Sequence, residues 1–170
     1  INKKIQNPKH EVTIGVVGKY VDLKESYKSL NEALFHGGIA NHAKVKLEFI
    51  DAEEMLKSGK VDSSLQKVDG ILVPGGFGAR GVEGKIAAIQ YAREKKIPFF
   101  GICYGMQLAV VEYARNVVGW KNSNSAEFGA PSDRLVIDIM EDQKKVDQMG
   151  GTMRLGNCEC EIMTRTKAFD

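Results

Sequence analysis

The sequence predicts an α/β fold in three layers, in which an open, mostly parallel β-sheet lies between helices on both faces. Short runs rich in β-branched residues alternate along the chain with longer segments of helical periodicity, the pattern of parallel βαβ units. Two glycine-rich stretches follow such runs directly and precede helical segments. Loops in that position converge at the carboxyl ends of parallel strands, where ligands bind.

Four apolar runs predict the strands of the sheet. The first, "EVTIGVVG", is short and β-branched and ends in a glycine, as a buried strand does. Two further runs after a polar stretch, "LVIDIM" (135–140) and "CECEIM" (158–163), also predict strands. The four strands of the predicted sheet span residues 11–18, 45–50, 69–76 and 97–102.

The intervening segments predict helices. Ser26 or Ser29 is the expected N-cap of the first, and Asp51 with Glu54 forms a capping pair at the start of the second. The third is amphipathic, and the fourth is apolar nearly all round, so we expect it to be buried. These helices span 26–42, 51–59, 82–96 and about 106–118.

Size and composition indicate one domain, residues 1–170, with a core of its own. The formal charge of +2 is too small to favour nucleic acid or an anionic membrane as a partner. No apolar stretch has the length of a membrane span. The three cysteines form no disulfide framework, which favours a reducing, cytoplasmic setting.

The residues "GICYG", 101–105, fit the nucleophile-elbow pattern with a cysteine at the centre. The sharp strand-to-helix turn needs small residues two positions before and after Cys103. The helix N-terminus favours an anion, and therefore the thiolate form of a cysteine. The N–H of Tyr104 would then stabilise an oxyanion, and the alternative is that Cys103 is an ordinary buried cysteine.

An oxyanion hole needs a second donor, which the other glycine loop, "PGGFGARG" (74–81), offers. Gly75 and Gly76 lack side chains, so their backbone can approach a substrate closely. We expect the N–H of Gly76 to be this donor. Two glycine loops at the ends of neighbouring strands favour a nucleophilic role for Cys103 over the structural alternative.

Four segments together resemble the class I glutamine amidotransferase domain of CTP synthases, which has a flavodoxin-like fold. They are "LVPGGFGARG", "FFGICYGMQLAVVEYAR", "NSNSAEF" and "GGTMRLG", and the resemblance runs from residue 15 to about 156. The elbow alone would fit any class I amidotransferase. Tyr104 stands where CTP synthases usually have leucine; because the oxyanion donor is a backbone N–H, we do not expect this difference to disable the site.

The resemblance implies a role for each matching residue. Cys103 is the nucleophile, and the backbones of Gly76 and Tyr104 form the oxyanion hole. Glu127 would pair with the α-ammonium of L-glutamine and Arg154 with its α-carboxylate, although without the family both read as surface residues. The implied glutamine-binding residues are Gly76, Tyr104, Gly105, Met106, Gln107, Glu127 and Arg154.

The resemblance also implies a reaction in pyrimidine biosynthesis. Glutamine is hydrolysed through a γ-glutamyl thioester, and the ammonia passes to a synthetase domain of the same polypeptide, which aminates UTP to CTP with ATP and Mg²⁺. This domain itself needs no cofactor or metal. GTP is the implied allosteric activator, with Phe77 and Arg80 as contacts, and the implied parent enzyme is a homotetramer.

The general base is the part of the catalytic triad that these residues lack. The three histidines, His10, His36 and His42, all precede Cys103, whereas the family places a His-x-Glu pair after it. His10 is expected in an N-terminal tail, and all three read as surface or partly packed residues. We therefore expect that a protein ending at residue 170 binds glutamine weakly and does not turn over.

Two alternatives remain. Another class I amidotransferase, of the GMP synthetase type, would keep the elbow, although "TMRLG" argues against it. A non-catalytic, flavodoxin-like thiol module of the DJ-1 type would keep Cys103 as a redox-sensing or structural thiol. Cys158 and Cys160, two apart in a predicted strand, read as ordinary strand residues because no further cluster completes a metal site.

Overall fold

The computed structural model describes residues 2–19, 27–128, 132–139, 159–166 and 169. The chain forms two compact units, Ile1–Asp138 and Ile139–Asp170. In the second unit, residues 159–163 have no regular secondary structure and a turn follows at 164–166. The predicted last strand is therefore wrong for 159–163. An isolated apolar run does not make a strand unless a neighbouring strand pairs with it.

Four parallel strands form the main sheet of the first unit, in the order β2-β1-β3-β4. All four were predicted from their apolar runs. A fifth and a sixth strand form a separate parallel pair, and β5 falls in the polar stretch before residue 135, for which no strand was predicted. The strands are β1 His10–Gly18, β2 Ala43–Asp51, β3 Gly70–Val73, β4 Phe99–Gly101, β5 Ser123–Ser125 and β6 Arg134–Ile137.

In the described part of the chain, six α-helices accompany these strands. The four predicted helices are present, and two short ones, α1 and α4, were missed because five residues are too few to show a helical period. The helix after the elbow begins at Tyr104, earlier than the predicted start near Met106. The helices are α1 Asn2–Gln6, α2 Lys28–Ala40, α3 Ala52–Lys57, α4 Val61–Leu65, α5 Val82–Lys95 and α6 Tyr104–Asn116.

The predicted caps are only partly correct. Asp51 caps α3, because its Oδ1 accepts the N–H groups of Glu53 and Glu54 at 2.8 and 2.9 Å. At α2 the N-cap residue is Tyr27, and Ser29 lies inside the helix. Ser29 is therefore not the cap, while Ser26 lies outside the described residues.

Helices cover both faces of the sheet. The connection from β1 to β2 runs in one direction across the sheet, and that from β2 to β3 runs in the other. With right-handed crossovers, α2 therefore lies on one face and α3, α4 and α5 on the opposite one. The main core forms beneath α3–α6, and its most deeply buried members include Val17, Leu65, Val73, Leu108 and Val111.

The expectation that the helix after the elbow is buried all round is wrong for α6. Leu108 and Val111 are fully buried, but Met106 is 55% exposed and Tyr113 is 54% exposed. The helix packs against α5 and against strands β3, β4, β5 and β6, and the side chains that point away from these neighbours are exposed. Average hydropathy does not reveal this, because burial is set by which face has neighbours. No described helix is long and apolar enough to cross a membrane.

Candidate active site

The candidate site lies at the carboxyl ends of β1, β3 and β4. The order of the strands reverses between β1 and β3, and in open parallel sheets ligands usually bind beside such a reversal. A Cβ built on Gly75 would lie 3.7 Å from the Cβ of Cys103, and one on Gly76 would lie 3.8 Å from Cδ1 of Tyr104. The fold thus brings together the two loops that the sequence singled out.

Cys103 has the backbone geometry of a nucleophile elbow. It precedes α6 with φ 50° and ψ −102°, a region that side chains rarely occupy, and it is exposed. A Cβ on Gly101 would lie 2.6 Å from the carbonyl carbon of Gly105, and one on Gly105 would lie 2.1 Å from the oxygen of Val73. Any side chain at either position would therefore prevent the turn from closing.

Backbone hydrogen bonds hold this turn in place. Ile102 donates its N–H to the oxygen of Val73 at 3.0 Å, and Gly105 donates to the oxygen of Ile102 at 2.9 Å. Among the described residues, the N–H groups of Gly76 and Tyr104 donate to no protein acceptor. Both donors are consequently available to a bound anion.

The side chain of Tyr104 is buried beneath the glycine loop. It is 1% exposed, and its ring meets that of Phe128 edge-on with 5.9 Å between centroids. The hydroxyl donates a hydrogen bond to the oxygen of Gly78. Burial, assisted by the nearby charge of Glu127, raises the pKa of Tyr104 well above its usual value.

Glu127 meets the same glycine from another direction. It belongs to a single 3-10 turn, Ala126–Phe128, that follows β5. Its Oε1 accepts the N–H of Gly78 at 2.8 Å, and its own N–H donates to Oγ of Ser125 at 3.2 Å. The carboxylate is therefore oriented toward the glycine loop, although the residue as a whole is exposed.

Lys85, on α5, is a buried cation that our reading of the sequence missed. It is 4% exposed, and its Nζ lies 5.1 Å from the centroid of the Tyr104 ring. No carboxylate of the described residues forms an ion pair with it, and burial followed by the charge of Lys19 lowers its pKa. The available signal was its position between Val82 and Ile89 on the apolar stripe of the helix.

The other predicted site residues are placed as follows. Gly105 is buried, Gln107 is half-buried, and its N–H donates to the oxygen of Cys103 at 3.1 Å. Phe77 is 79% exposed, and Nε of Arg80 lies 3.1 Å from a carboxylate oxygen of Glu53 on α3.

Arg154 and Cys158 lie outside the described residues, and Cys160 is exposed. The described residues contain no cluster of His, Cys, Asp and Glu able to hold a metal ion.

The three histidines lie away from the elbow loops. His10 is the first residue of β1 rather than part of a tail, which corrects the sequence-based expectation. It pairs with Ala43, the residue after His42. Both histidines therefore lie at the amino ends of the parallel strands, whereas Cys103 follows the carboxyl end of β4. His36 is exposed on α2. The expectation that all three are surface or partly packed residues is confirmed.

Comparison with known proteins agrees with this geometry. The family model for "Glutamine amidotransferase class-I" matches residues 22–169. The CTP synthase of Bdellovibrio bacteriovorus is 59% identical over 170 residues, 98% of this chain and 32% of that protein. The CTP synthase of Maridesulfovibrio salexigens is 55% identical over 180 residues, 99% of this chain and 33% of that protein.

A solved structure gives the same result. The chain resembles the glutaminase domain of Trypanosoma brucei CTPS with bound acivicin, with a TM-score of 0.72 and 43% identity over 77% of this chain and 51% of the other. The chain spans about a third of the length of the curated relatives it matches. By the match of its sequence to the family model, by its elbow and by its parallel sheet, the chain belongs to the class-I glutamine amidotransferase family.

Proposed function

We propose that this chain is the glutaminase part of a glutamine-dependent CTP synthase. Cys103 hydrolyses the side-chain amide of L-glutamine, and the ammonia passes to a synthetase domain of the same polypeptide, which aminates UTP with ATP and Mg²⁺. The observation that carries this proposal is the strained, exposed Cys103 at the start of α6, beside two unpaired backbone N–H groups.

The chemistry follows from that arrangement. The sulfur of Cys103 attacks the amide carbon, and the negative charge that develops on the amide oxygen is stabilised by the N–H groups of Gly76 and Tyr104. One such donor is worth about 10²–10³ in rate in enzymes that form tetrahedral intermediates. Collapse of the intermediate releases ammonia and leaves a thioester, which water hydrolyses to glutamate. The general base is a histidine of a His-x-Glu pair outside these residues.

Recognition of the amino acid rests on opposite charges. Glu127 binds the α-ammonium. One of its carboxylate oxygens, Oε1, accepts the N–H of Gly78, and the other, Oε2, contacts the ammonium. Arg154 binds the α-carboxylate, for which a guanidinium provides two parallel donors. Gly105, Met106 and Gln107 line the remainder of the pocket.

The similarity to CTP synthases favours this parent enzyme over one of the GMP synthetase type, and the family match favours an amidotransferase over a DJ-1-like module. GTP acts as the activator, contacting Phe77 and Arg80; the 79% exposure of Phe77 suits a ligand contact. The parent enzyme is a cytoplasmic homotetramer, and residues 1–170 form one amidotransferase domain without a cofactor.

Labelling with acivicin tests the proposed nucleophile. We expect a single adduct on Cys103, found by intact mass and peptide mapping and lost in Cys103→Ala. Cys160→Ala is the matched control, because Cys160 is also an exposed free thiol, and this variant should be labelled like the wild type. Peroxide sensitivity of Cys103 without any acivicin adduct would instead support a thiol module.

The assignment of the parent enzyme needs the full-length protein. With glutamine, UTP, ATP and Mg²⁺, it should release glutamate and form CTP, and Cys103→Ala should abolish both products. With ammonia supplied in place of glutamine, the same variant should still form CTP. Glutamate release without any amination of UTP would contradict the proposed parent enzyme but not the glutaminase.

A further inference from the structure

Gly78 is bound through both of its backbone polar groups by side chains from two distant parts of the chain. Its N–H donates to Glu127 at 2.8 Å, and its oxygen accepts the hydroxyl of Tyr104. Gly78 has φ +79°, and a Cβ built on it would meet no atom within 4 Å. No atom lies close on the Cβ side of this glycine, so the two hydrogen bonds are the direct side-chain contacts that hold its backbone.

The side chain of Tyr104, whose hydroxyl donates to the carbonyl of Gly78, is itself held in place by its neighbours. Tyr104 is 1% exposed, and its ring is enclosed by Phe128 at its edge and by the ammonium of Lys85, 5.1 Å from the ring centroid. A buried tyrosine has two side-chain torsions, both restricted here by these neighbours. Its backbone also begins α6, directly after Cys103. The nucleophile and the loop are thus connected through one residue.

We propose that the side chain of Tyr104 is a positioning residue for the oxyanion hole. It holds the carbonyl of Gly78 while Glu127 holds the N–H, and together they orient the N–H of Gly76, two residues earlier, toward the substrate. The proposal rests on the proposed glutaminase function. It gives a role to a buried hydroxyl whose partner is the carbonyl of Gly78.

The position of Glu127 adds a consequence for substrate recognition. One oxygen of its carboxylate holds the loop, and the other is available to the α-ammonium of glutamine. A substrate that carries the ammonium therefore fixes Glu127, and with it Gly78.

Oxyanion stabilisation depends on where the donors point when the charge develops, so loss of the tyrosine hydroxyl should lower kcat rather than raise KM.

The test uses the full-length protein with Tyr104→Phe, which removes a single oxygen atom. We expect kcat for glutamine hydrolysis to fall about three- to tenfold, the range for loss of one hydrogen bond, with KM changed by less than about twofold. CTP formation from supplied ammonia should be unchanged. Tyr113→Phe, at an exposed tyrosine on the same helix, is the matched control and should behave as the wild type.

Hydrogen exchange provides a readout that does not depend on activity. Amides of the loop 75–81 should exchange faster in Tyr104→Phe, while those of α6 should not change. Wild-type kcat together with wild-type exchange in that variant would overturn the proposal. Glutaminase activity absent from the wild-type protein would instead overturn the proposed function, so the two failures are distinguishable.

Discussion

Cys103 occupies a backbone conformation, φ 50° and ψ −102°, in which only glycine is free of steric strain. Such conformations cost roughly 1–3 kcal/mol and persist where the surrounding structure enforces them. The enforcing contacts are hydrogen bonds from Ile102 to Val73 on β3 and from Gly105 to Ile102, together with two glycines that allow the backbone segments to touch. At the scale of single residues, the backbone that exposes the sulfur of Cys103 at the start of a helix thus lowers the stability of the folded chain.

This strain makes a prediction about stability. Cys103→Gly should be more stable than Cys103→Ala by about 1 kcal/mol, because glycine accepts the positive φ and alanine does not. The measurement is urea unfolding followed by circular dichroism, comparing the two variants that both lack the sulfur. Equal free energies of unfolding for the two would show that the turn stores no strain.

At the scale of elements, a buried ion pair joins α5 to α6, the helix that begins at the elbow. Arg93 on α5 donates through Nε and Nη2 to the carboxylate of Glu112 on α6, at 3.1 and 2.8 Å. Glu112 is only 1% exposed, and Asn116 donates a further hydrogen bond to it at 3.0 Å. A buried carboxylate with a bidentate arginine fixes the register of the two helices, because sliding either one would leave the charge unpaired.

We expect Arg93→Met to lower the free energy of unfolding by about 3 kcal/mol, since it leaves the carboxylate of Glu112 buried without its cation. Arg80→Met is the matched control. Its partner Glu53 forms a largely exposed ion pair, and such pairs contribute about 0–1 kcal/mol. Denaturant midpoints of both variants provide the measurement, and similar losses in the two would contradict this role for the buried pair.

At the scale of the whole molecule, the core formed by the described residues lies in the first compact unit, Ile1–Asp138. That unit holds the four-stranded sheet, helices α1–α6 and the two elbow loops. Of the proposed glutamine-binding residues, only Arg154 belongs to the second unit. The described sheet and Cys103 therefore belong to the first unit.

The fragment 1–138 should consequently fold by itself. We expect cooperative urea unfolding and dispersed amide resonances, because every residue of the main core is retained. Acivicin should still react with Cys103 in this fragment, but more slowly than in the longer chain, since Arg154 is missing. A fragment that unfolds without a cooperative transition would show that residues after 138 complete the core.

Local chemistry explains which features were predictable from the sequence. The β-branched runs indicated the four strands of the main sheet, and the glycines on either side of Cys103 indicated the sharp turn. Asp51 was recognisable as a cap because it bonds to N–H groups two and three residues away. The short helix α4 and strand β5 were missed, because so few residues carry no periodic signal and form only against neighbours.

By itself, then, the sequence determined the strands of the sheet, the elbow residues around Cys103 and the two glycine-rich loops, because each of these is recognised from residues close together in the chain. Only the tertiary structure decided what the buried side chains around these loops do. Tyr104 reaches Gly78 across 26 residues, and Glu127 reaches it across 49. Contacts between segments so far apart depend on the path of the whole chain, so no local sequence pattern predicts them.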